Sequence, residues 1–524
     1  MSDQNLSRRG LLSVGGGLTL AAFFAGAGCS SSQQQTGGQS GAPGKALTLS
    51  LLLPGDVPAG WDAVLAEVNK KLQADQGFTI KPQFIPWANY GQQALLKFTA
   101  GEGFDTALQA RWLNMTQLAA SGSIVELSSL LSSGKYPNLA ATIDPKIIEL
   151  NRWSGKLYGL PQINSVARFH HFAIRQDLAD KYGMSEIADF AGLEKFWYDV
   201  KQKEKDITPI GVNSRMPKLL VAWNPVGWLN PYMWENPRTS ISSFTGESLA
   251  FVLAADGKQT GSANPVPFWE APGMMDALRL VRKYYQDGLI NKNALTVDSK
   301  ALESQFKAGR FATAWAMTDG LTSQMLPELT KNVPGAMLSN VVPLKGGKDA
   351  KPYQTFQADN FLVLNAKGQS NEKAMQLEDW LSIKENHDLI TYGIKGKDWN
   401  PVGDDKYELL STYTFPGFAL SWRAKLERRI KDMTASEAAW FDWAQQADNF
   451  TIDPYASFTP DPEPVKRENT QVTAALTQFA NPLFIGAVDV DQGLDKLKKA
   501  LDRAGLAKLQ TEMAKQADAY LKGQ

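Results

Sequence analysis

SGKLYGLPQINSVARFHHFAIRQD, residues 154–177, reads as chain leaving one folded lobe and opening the first strand of another. Gly155 and Gly159 give permissive backbone on either side of the apolar Leu157-Tyr158 pair, and Pro161 fixes φ and ends any helix. Beyond it, Phe169, His171, Ala173 and Arg175 alternate with His170, Phe172 and Ile174, the period of a strand. A helix is expected to begin near Asp177.

Length agrees with two lobes. A chain of 524 residues is too long for one core, because single hydrophobic cores stop growing at roughly 250 to 300 residues. The 54 basic and 54 acidic residues cancel, and no long run of one sign stands out. There is no electrostatic footprint for nucleic acid or an anionic surface, and a neutral partner is expected. The 15 Trp, 14 Tyr and 24 Phe exceed what a soluble core of this size requires, so some rings are expected to face a ligand.

The amino terminus reads as an export signal. Arg8 and Arg9 precede a Gly-interrupted apolar run, Leu11 to Ala27, too weak for a permanent span. Ser7-Arg8-Arg9-Gly10-Leu11-Leu12 resembles the twin-arginine signal. Gly26-Ala27-Gly28-Cys29 resembles a lipobox, with Gly26 departing from the usual Leu, so lipidation is expected at Cys29. Cys29 is the only cysteine, which leaves an exported domain held by its core with no disulfide. Residues 30–45 (SSSQQQTGGQSGAPGK) have no apolar periodicity and form a flexible tether.

After the tether, Leu47 to Leu53 reads as a buried parallel strand. Trp61, Val64, Leu65, Val68 and Leu72 mark a helix stopped by Gly77, and Phe78 to Ile85 is a second strand that Pro82 assigns to an edge. In such βαβ units ligands bind outside the carboxyl ends of the strands. The loops to watch are Pro54 to Trp61, Pro86 to Tyr90, and the one after a strand at Thr106 to Ala110. Further on, Leu193 to Val200 is a short helix, and Met274 to Leu289 a longer one with Leu278, Val281 and Tyr285 on one face and Gly288 at its stop. Pro217 to Pro237 holds Trp223, Trp228, Tyr232 and Trp234. Those rings form either a local minicore or a platform for the apolar C–H faces of sugar rings. The chain ends as helix from Asp489 to Tyr520, divided at Gly505.

Four stretches carry a family resemblance. GKLYGLP with RQDLADKYGM, GEGFDTALQARWLNMTQLAASGSIVEL, YYQDGLINKNALTVDSKALESQFKAGRFATAW and SNEKAMQLEDWLSIKENHDLITYGIKGKDWN resemble the family 1 extracellular solute-binding proteins of bacterial ABC importers. The resemblance is to the large lipoprotein branch associated with oligosaccharide uptake. It implies an α/β, two-lobed periplasmic-binding-protein-like fold of type II, each lobe a mixed sheet flanked by helices with a cleft between. Residues 46–163 with 345–395 would form the first lobe, and 164–344 with 396–524 the second. The ligand would be an oligosaccharide, captured by lobe closure and delivered to the transmembrane subunits of an ABC permease by a lipid-anchored monomer. Turned toward the cleft in such proteins are the positions of Arg111, Trp112, Asn114 and Asn164, of Trp223, Trp228 and Asp319, and of Trp61 and Trp422. Thr414 to Trp422 would deliver the last cleft segment.

Other chemistries have little to stand on. His170 and His171 point to opposite faces of a strand and cannot share a metal. Asp489, Asp491 and Asp495 lack the glycine and the final Glu of a calcium loop, with Ala500 in the latter's place. No P-loop, dinucleotide fingerprint or nucleophile elbow is present, and no cofactor is expected. A carboxylate pair remains conceivable among the acidic residues, as a surface polysaccharide lyase or glycosidase would need. A binder of peptides or other polar solutes is the other alternative, with Arg111 or Asp319 as its fixed charge.

Overall fold

The computed structural model describes residues 47–523 except 112, 154, 168–169, 215–237, 242–248, 255, 318–320, 343–348 and 350. The export signal, the tether, Cys29, Trp112, Trp223, Trp228, Tyr232, Trp234 and Asp319 therefore lie outside the described residues.

The apolar run Leu47–Pro54 is strand β1, buried on both faces at Leu49, Leu51, Leu52 and Leu53. One face is covered by the helix Trp61–Gln76, which buries Trp61, Val64, Val68 and Leu72 and stops at Gly77, where φ is 76°. Only glycine reaches that left-handed conformation without strain. Strand β2 (Phe78–Ile85) returns parallel to β1, and β3 (Thr106–Gln109) lies on β1's other side. Strand β4 is Leu160–Gln162. Next come β5 (His170–Arg175) and β6 (Thr208–Ile210), then β7 (Arg238–Ile241), β8 (Phe251–Ala254) and β9 (Val266–Pro267), which form a small antiparallel sheet. The remaining strands of the main sheets are β10 (Phe311–Met317), β11 (Leu338–Val341) and, after the short β12 (Tyr353–Gln354), β13 (Asn360–Leu364).

The first sheet runs β2-β1-β3-β13-β4, with β13 antiparallel to both neighbours. Its two edge strands each carry a proline, Pro82 and Pro161, whose missing N–H costs least at an edge. The second sheet runs β11-β5-β10-β6, with β5 antiparallel to β10 and β11. The directions place the carboxyl ends of β1, β2, β3 and β4 on one edge, with the amino end of β13. In the other sheet they gather the carboxyl ends of β6, β10 and β11 with the amino end of β5. The chain crosses from β4 to β5 and from β11 to β13, so both crossings join these two edges, and the loops leaving the strands border a common space.

A third crossing completes the connection. Strands β14 (Trp399–Val402), β15 (Lys406–Leu409) and β16 (Arg429–Ile430) form a separate small sheet, and β17 (Thr451–Ile452) then pairs in parallel with β12. The Thr451 N–H donates to Pro352 O at 3.0 Å and the Asp453 N–H to Gln354 O at 2.8 Å, so two crossings are hydrogen-bonded to each other. Beside them Phe356 holds a φ of 52°, a left-handed conformation uncommon for a bulky residue.

The cores follow the sheets, with three departures from expectation. Residues 396–450, expected with the second lobe, contribute Tyr413, Phe415, Leu420, Trp443 and Phe450 to the core that holds Leu51, Phe361 and Trp380 of the first. The reason is that Tyr413 and Phe415 find partners there: the Tyr413 hydroxyl donates to Ile390 O at 2.7 Å and Phe415 stacks on Trp61. Residues from Tyr455 to Leu521 instead join Phe172 and Ile174 of β5 in the second core. In the helix Met274–Gln286 the buried ring is Tyr284, not Tyr285, because Met274, Ala277, Leu278 and Val281 turn the apolar stripe toward it. Gly159 is required for space, not for φ: a Cβ there would lie 2.9 Å from Phe361 Cβ and 3.0 Å from Met115 Cε.

His171 is buried in β5, and burial pushes its imidazole down to about 3, so it is neutral at physiological pH. Among the described residues, no group of His, Cys, Asp or Glu is placed to hold a metal, and no helix is long and apolar enough to cross a membrane.

Candidate functional site

Two arrangements stand at the carboxyl edge of the first sheet. The first is a ledge of aromatic rings. Pro86 follows β2, and the helix Trp87–Thr99 begins directly after it. That helix is pinned where its Tyr90 hydroxyl meets Leu52 O of β1 at 3.1 Å and Leu108 O of β3 at 2.9 Å. Trp87 is therefore held at the sheet edge, yet 44% of it is exposed. Its ring stacks on Phe418, centroids 5.6 Å apart and planes 22° apart, and Phe418 meets Trp422 edge to face at 5.8 Å. Trp422 comes close because Gly417 has no side chain; a Cβ there would lie 2.6 Å from Trp422 Cδ1. Flat rings so fixed and partly exposed present apolar area at little entropic cost.

Trp61, expected at the site, is instead a core ring. It is 4% exposed, stacked on Phe415 at 5.4 Å and edge-on to Phe84 at 5.4 Å, which takes up its faces. Its place in phase with Val64, Val68 and Leu72 on the buried stripe of its helix is the physical cause.

The second arrangement surrounds Arg111, on the loop after β3. Its guanidinium lies 3.8 Å over the Trp153 ring and 5.8 Å from that of Phe361. Nη1 donates to Thr459 Oγ1 at 3.0 Å. Nε and Nη2 are buried with no hydrogen-bond partner, and burial alone lowers the group to about 9. Asn114 fastens this loop: its N–H donates to Gln109 Oε1 at 3.3 Å and its Nδ2 to Gly91 O at 2.9 Å. Gln109 and Phe361 are paired across β3 and β13 and so share a face of the sheet. Gln109 Nε2 and Trp153 Nε1 are likewise buried and unpartnered. Asn164, buried at the start of the first crossing, leaves its Oδ1 unpartnered.

Of the expected site residues, the structure thus places Arg111, Asn114 and Trp422 at loops on this edge and Asn164 at the crossing, and it assigns Trp61 to the core. Trp112, Trp223, Trp228 and Asp319 lie outside the described residues. Trp87, Phe418, Trp153 and Thr459 were not foreseen. The signal for Trp87 was its position one residue beyond a strand and a proline, inside a loop already singled out. Thr459 offered no signal, since its partner is 348 residues away.

Comparison with known proteins agrees with this topology. A family model described as bacterial extracellular solute-binding protein matches residues 67–391, and a second, described as a domain of unknown function, matches 454–522. A carbohydrate ABC transporter substrate-binding protein of Streptococcus pneumoniae serotype 4 (strain ATCC BAA-334 / TIGR4) is 25% identical over 483 residues, 89% of this chain and 90% of the relative. Lipoprotein LipO of Bacillus subtilis (strain 168) is 23% identical over 393 residues, 73% of this chain and 72% of LipO. The crystal structure of the N-glycan transport solute binding protein NgtS from Streptococcus pneumoniae superposes with a TM-score of 0.72 at 21% identity, covering 91% of this chain and 99% of that one. Two mixed sheets with their strand ends turned to a common space are the architecture of these type II periplasmic-binding-like proteins, and the chain belongs to the bacterial extracellular solute-binding proteins.

Proposed function

We propose that this protein captures an oligosaccharide between its lobes and delivers it to an ABC permease without altering it. The observation that carries the reading is the ledge of Trp87, Phe418 and Trp422 at the carboxyl edge of the first sheet. Exposed rings held rigidly by a sheet edge suit the apolar faces of sugars, while Asn114, Asn164 and Arg111 lie on adjoining loops for hydroxyls. The relatives support it: the pneumococcal relative is named for carbohydrate transport, and NgtS structures hold Man1GlcNAc and Man5GlcNAc. In this reading Trp112 from the first lobe and Trp223, Trp228 and Asp319 from the second complete the cleft.

The lobes are 47–163 with 345–450, and 164–344 with 451–524, a division that moves 396–450 to the first lobe on the strength of its core partners. Ligand favours the closed form through contacts made only when the cleft is shut. A signal ending at Cys29 and a lipoprotein relative support export and anchoring by lipid, with a monomer as the working unit. Native mass spectrometry of the protein as purified tests the ligand class. A retained adduct whose mass ladder is built of sugar units is expected; an adduct of amino-acid composition would overturn the reading.

A further inference from the structure

We infer that the ligand carries a carboxylate, as an acidic sugar does, and that the Nε–H and Nη2–H of Arg111 form its fork. The inference rests on the oligosaccharide reading and names its chemical class more narrowly.

The guanidinium presents three edges to its surroundings, and this one has only one of its nitrogens engaged. Nη1 is committed to Thr459 Oγ1 at 3.0 Å, and the ring of Trp153 lies 3.8 Å beneath the plane. Those two contacts fix the orientation of the group. Nε and Nη2, which together make its side-on pair of parallel donors, are buried and have no partner. No described carboxylate forms an ion pair with Arg111. A buried cation with no described counterion and two of its three nitrogens without acceptors is costly, by more than a neutral orphan would be.

The neighbouring orphans have the same polarity. Gln109 Nε2 and Trp153 Nε1 are also buried donors without acceptors. The Gln109 amide is not reversible, because its Oε1 already accepts from the Asn114 N–H. Phe361 ties the three together: it pairs with Gln109 in the sheet, meets Trp153 edge to face at 5.0 Å and lies 5.8 Å from the Arg111 guanidinium. A patch that offers only N–H groups and one full positive charge calls for an occupant rich in acceptors and negatively charged. Two carboxylate oxygens match the spacing of the side-on fork and would neutralise the charge at once. A neutral sugar could supply hydroxyl acceptors but would leave the cation uncompensated.

The test is a glycan panel in which each acidic member, whether an oligomer of hexuronic acid or a sialyl-capped glycan, is paired with its carboxyl-reduced neutral form. Binding is measured by calorimetry on the wild-type protein. Acidic members should bind, and reduction of the carboxyl should weaken them about 10- to 100-fold, the range of a charge-assisted hydrogen-bonded pair. Arg111→Lys keeps the charge without the fork, and Arg111→Gln removes it. Both should weaken the acidic glycan far more than the reduced one and so shrink the difference between the pair, and the wild-type comparison decides even where a variant fails to fold. Equal affinity for each acidic glycan and its reduced form would overturn this inference while leaving the oligosaccharide reading intact. Failure to bind any glycan would overturn both.

Discussion

Arg111 Nη1 donates to Thr459 Oγ1 at 3.0 Å across 348 residues of sequence. Arg111 stands on the loop after β3 of the first sheet, and Thr459 follows Phe458, whose ring lies in the core of the second. One hydrogen bond thus connects the two parts of the molecule at the candidate site. It also decides which donors of the guanidinium remain for a ligand.

Thr459→Val removes that acceptor at nearly constant volume. The buried guanidinium then loses its one hydrogen bond to a described residue, and a loss of about 1.5–3 kcal/mol of stability is expected. Thr459→Ser should restore most of it. Denaturant unfolding of the three proteins checks the result, and equal midpoints would show that the bond contributes nothing.

Trp61→Ala should behave as a core deletion. With its faces taken by Phe415 and Phe84, the ring's removal is expected to cost about 3–5 kcal/mol of stability. Affinity for ligand, measured on the fraction that remains folded, should stay close to wild type.

A second internal charge supports the same lobe from behind. Arg423 is fully buried, pairs with the equally buried Glu378, and donates to Gln162 Oε1 of β4 at 3.0 Å. Burial raises the Glu378 carboxyl despite the pull of Arg423. Glu378→Gln leaves the cation uncompensated and should destabilise by about 3–5 kcal/mol in denaturant unfolding, whereas Glu378→Asp with its charge retained should lose less.

Two buried histidines give stability opposite dependences on pH. His171 is held at about 3 by burial, below its ordinary value, so the unfolded chain takes up the proton first. Its contribution is present above about pH 6.5 and is lost as pH falls toward 3, at up to about 1.4 kcal/mol per pH unit. For His387 burial opposes the charge, but Glu427 and Asp388, both 3.2 Å away, together outweigh it and raise the group. Its contribution is full below about pH 6.5 and is lost as pH rises through the raised value. His171→Gln should flatten the acid limb of a stability-against-pH curve, and His387→Gln should leave that limb and lower the plateau near pH 6.

Local rules carried most of the fold. Leu47 to Leu53 read as a buried strand and the strand runs one residue further, to Pro54; Pro82 marked an edge, and Gly505 with φ 89° divides the last two helices where the apolar stripe breaks. The exchange of 396–450 between lobes was not legible, because a core shared by Phe415 and Trp61 leaves no trace in the spacing of either segment. The aromatic excess led to the expectation that some rings face a ligand, but not that Trp87 would hold the exposed place and Trp61 the buried one. That choice depends on Tyr90 tying its helix to β1 and β3. The balance of charges likewise gave no hint of the surroundings of Arg111, since one buried cation with two unpartnered nitrogens disappears among 54 basic residues.

Calorimetric titration of wild type and Trp87→Ala with one glycan drawn from the native adduct, alongside their melting curves, tests the ledge most directly. Because Trp87 is 44% exposed, its loss should leave melting near wild type. The stacked ring's contribution beyond buried area, about 0.5–1.5 kcal/mol, together with that area should weaken binding by on the order of tenfold or more. Unchanged affinity in a normally folded Trp87→Ala protein would contradict an oligosaccharide site on this edge.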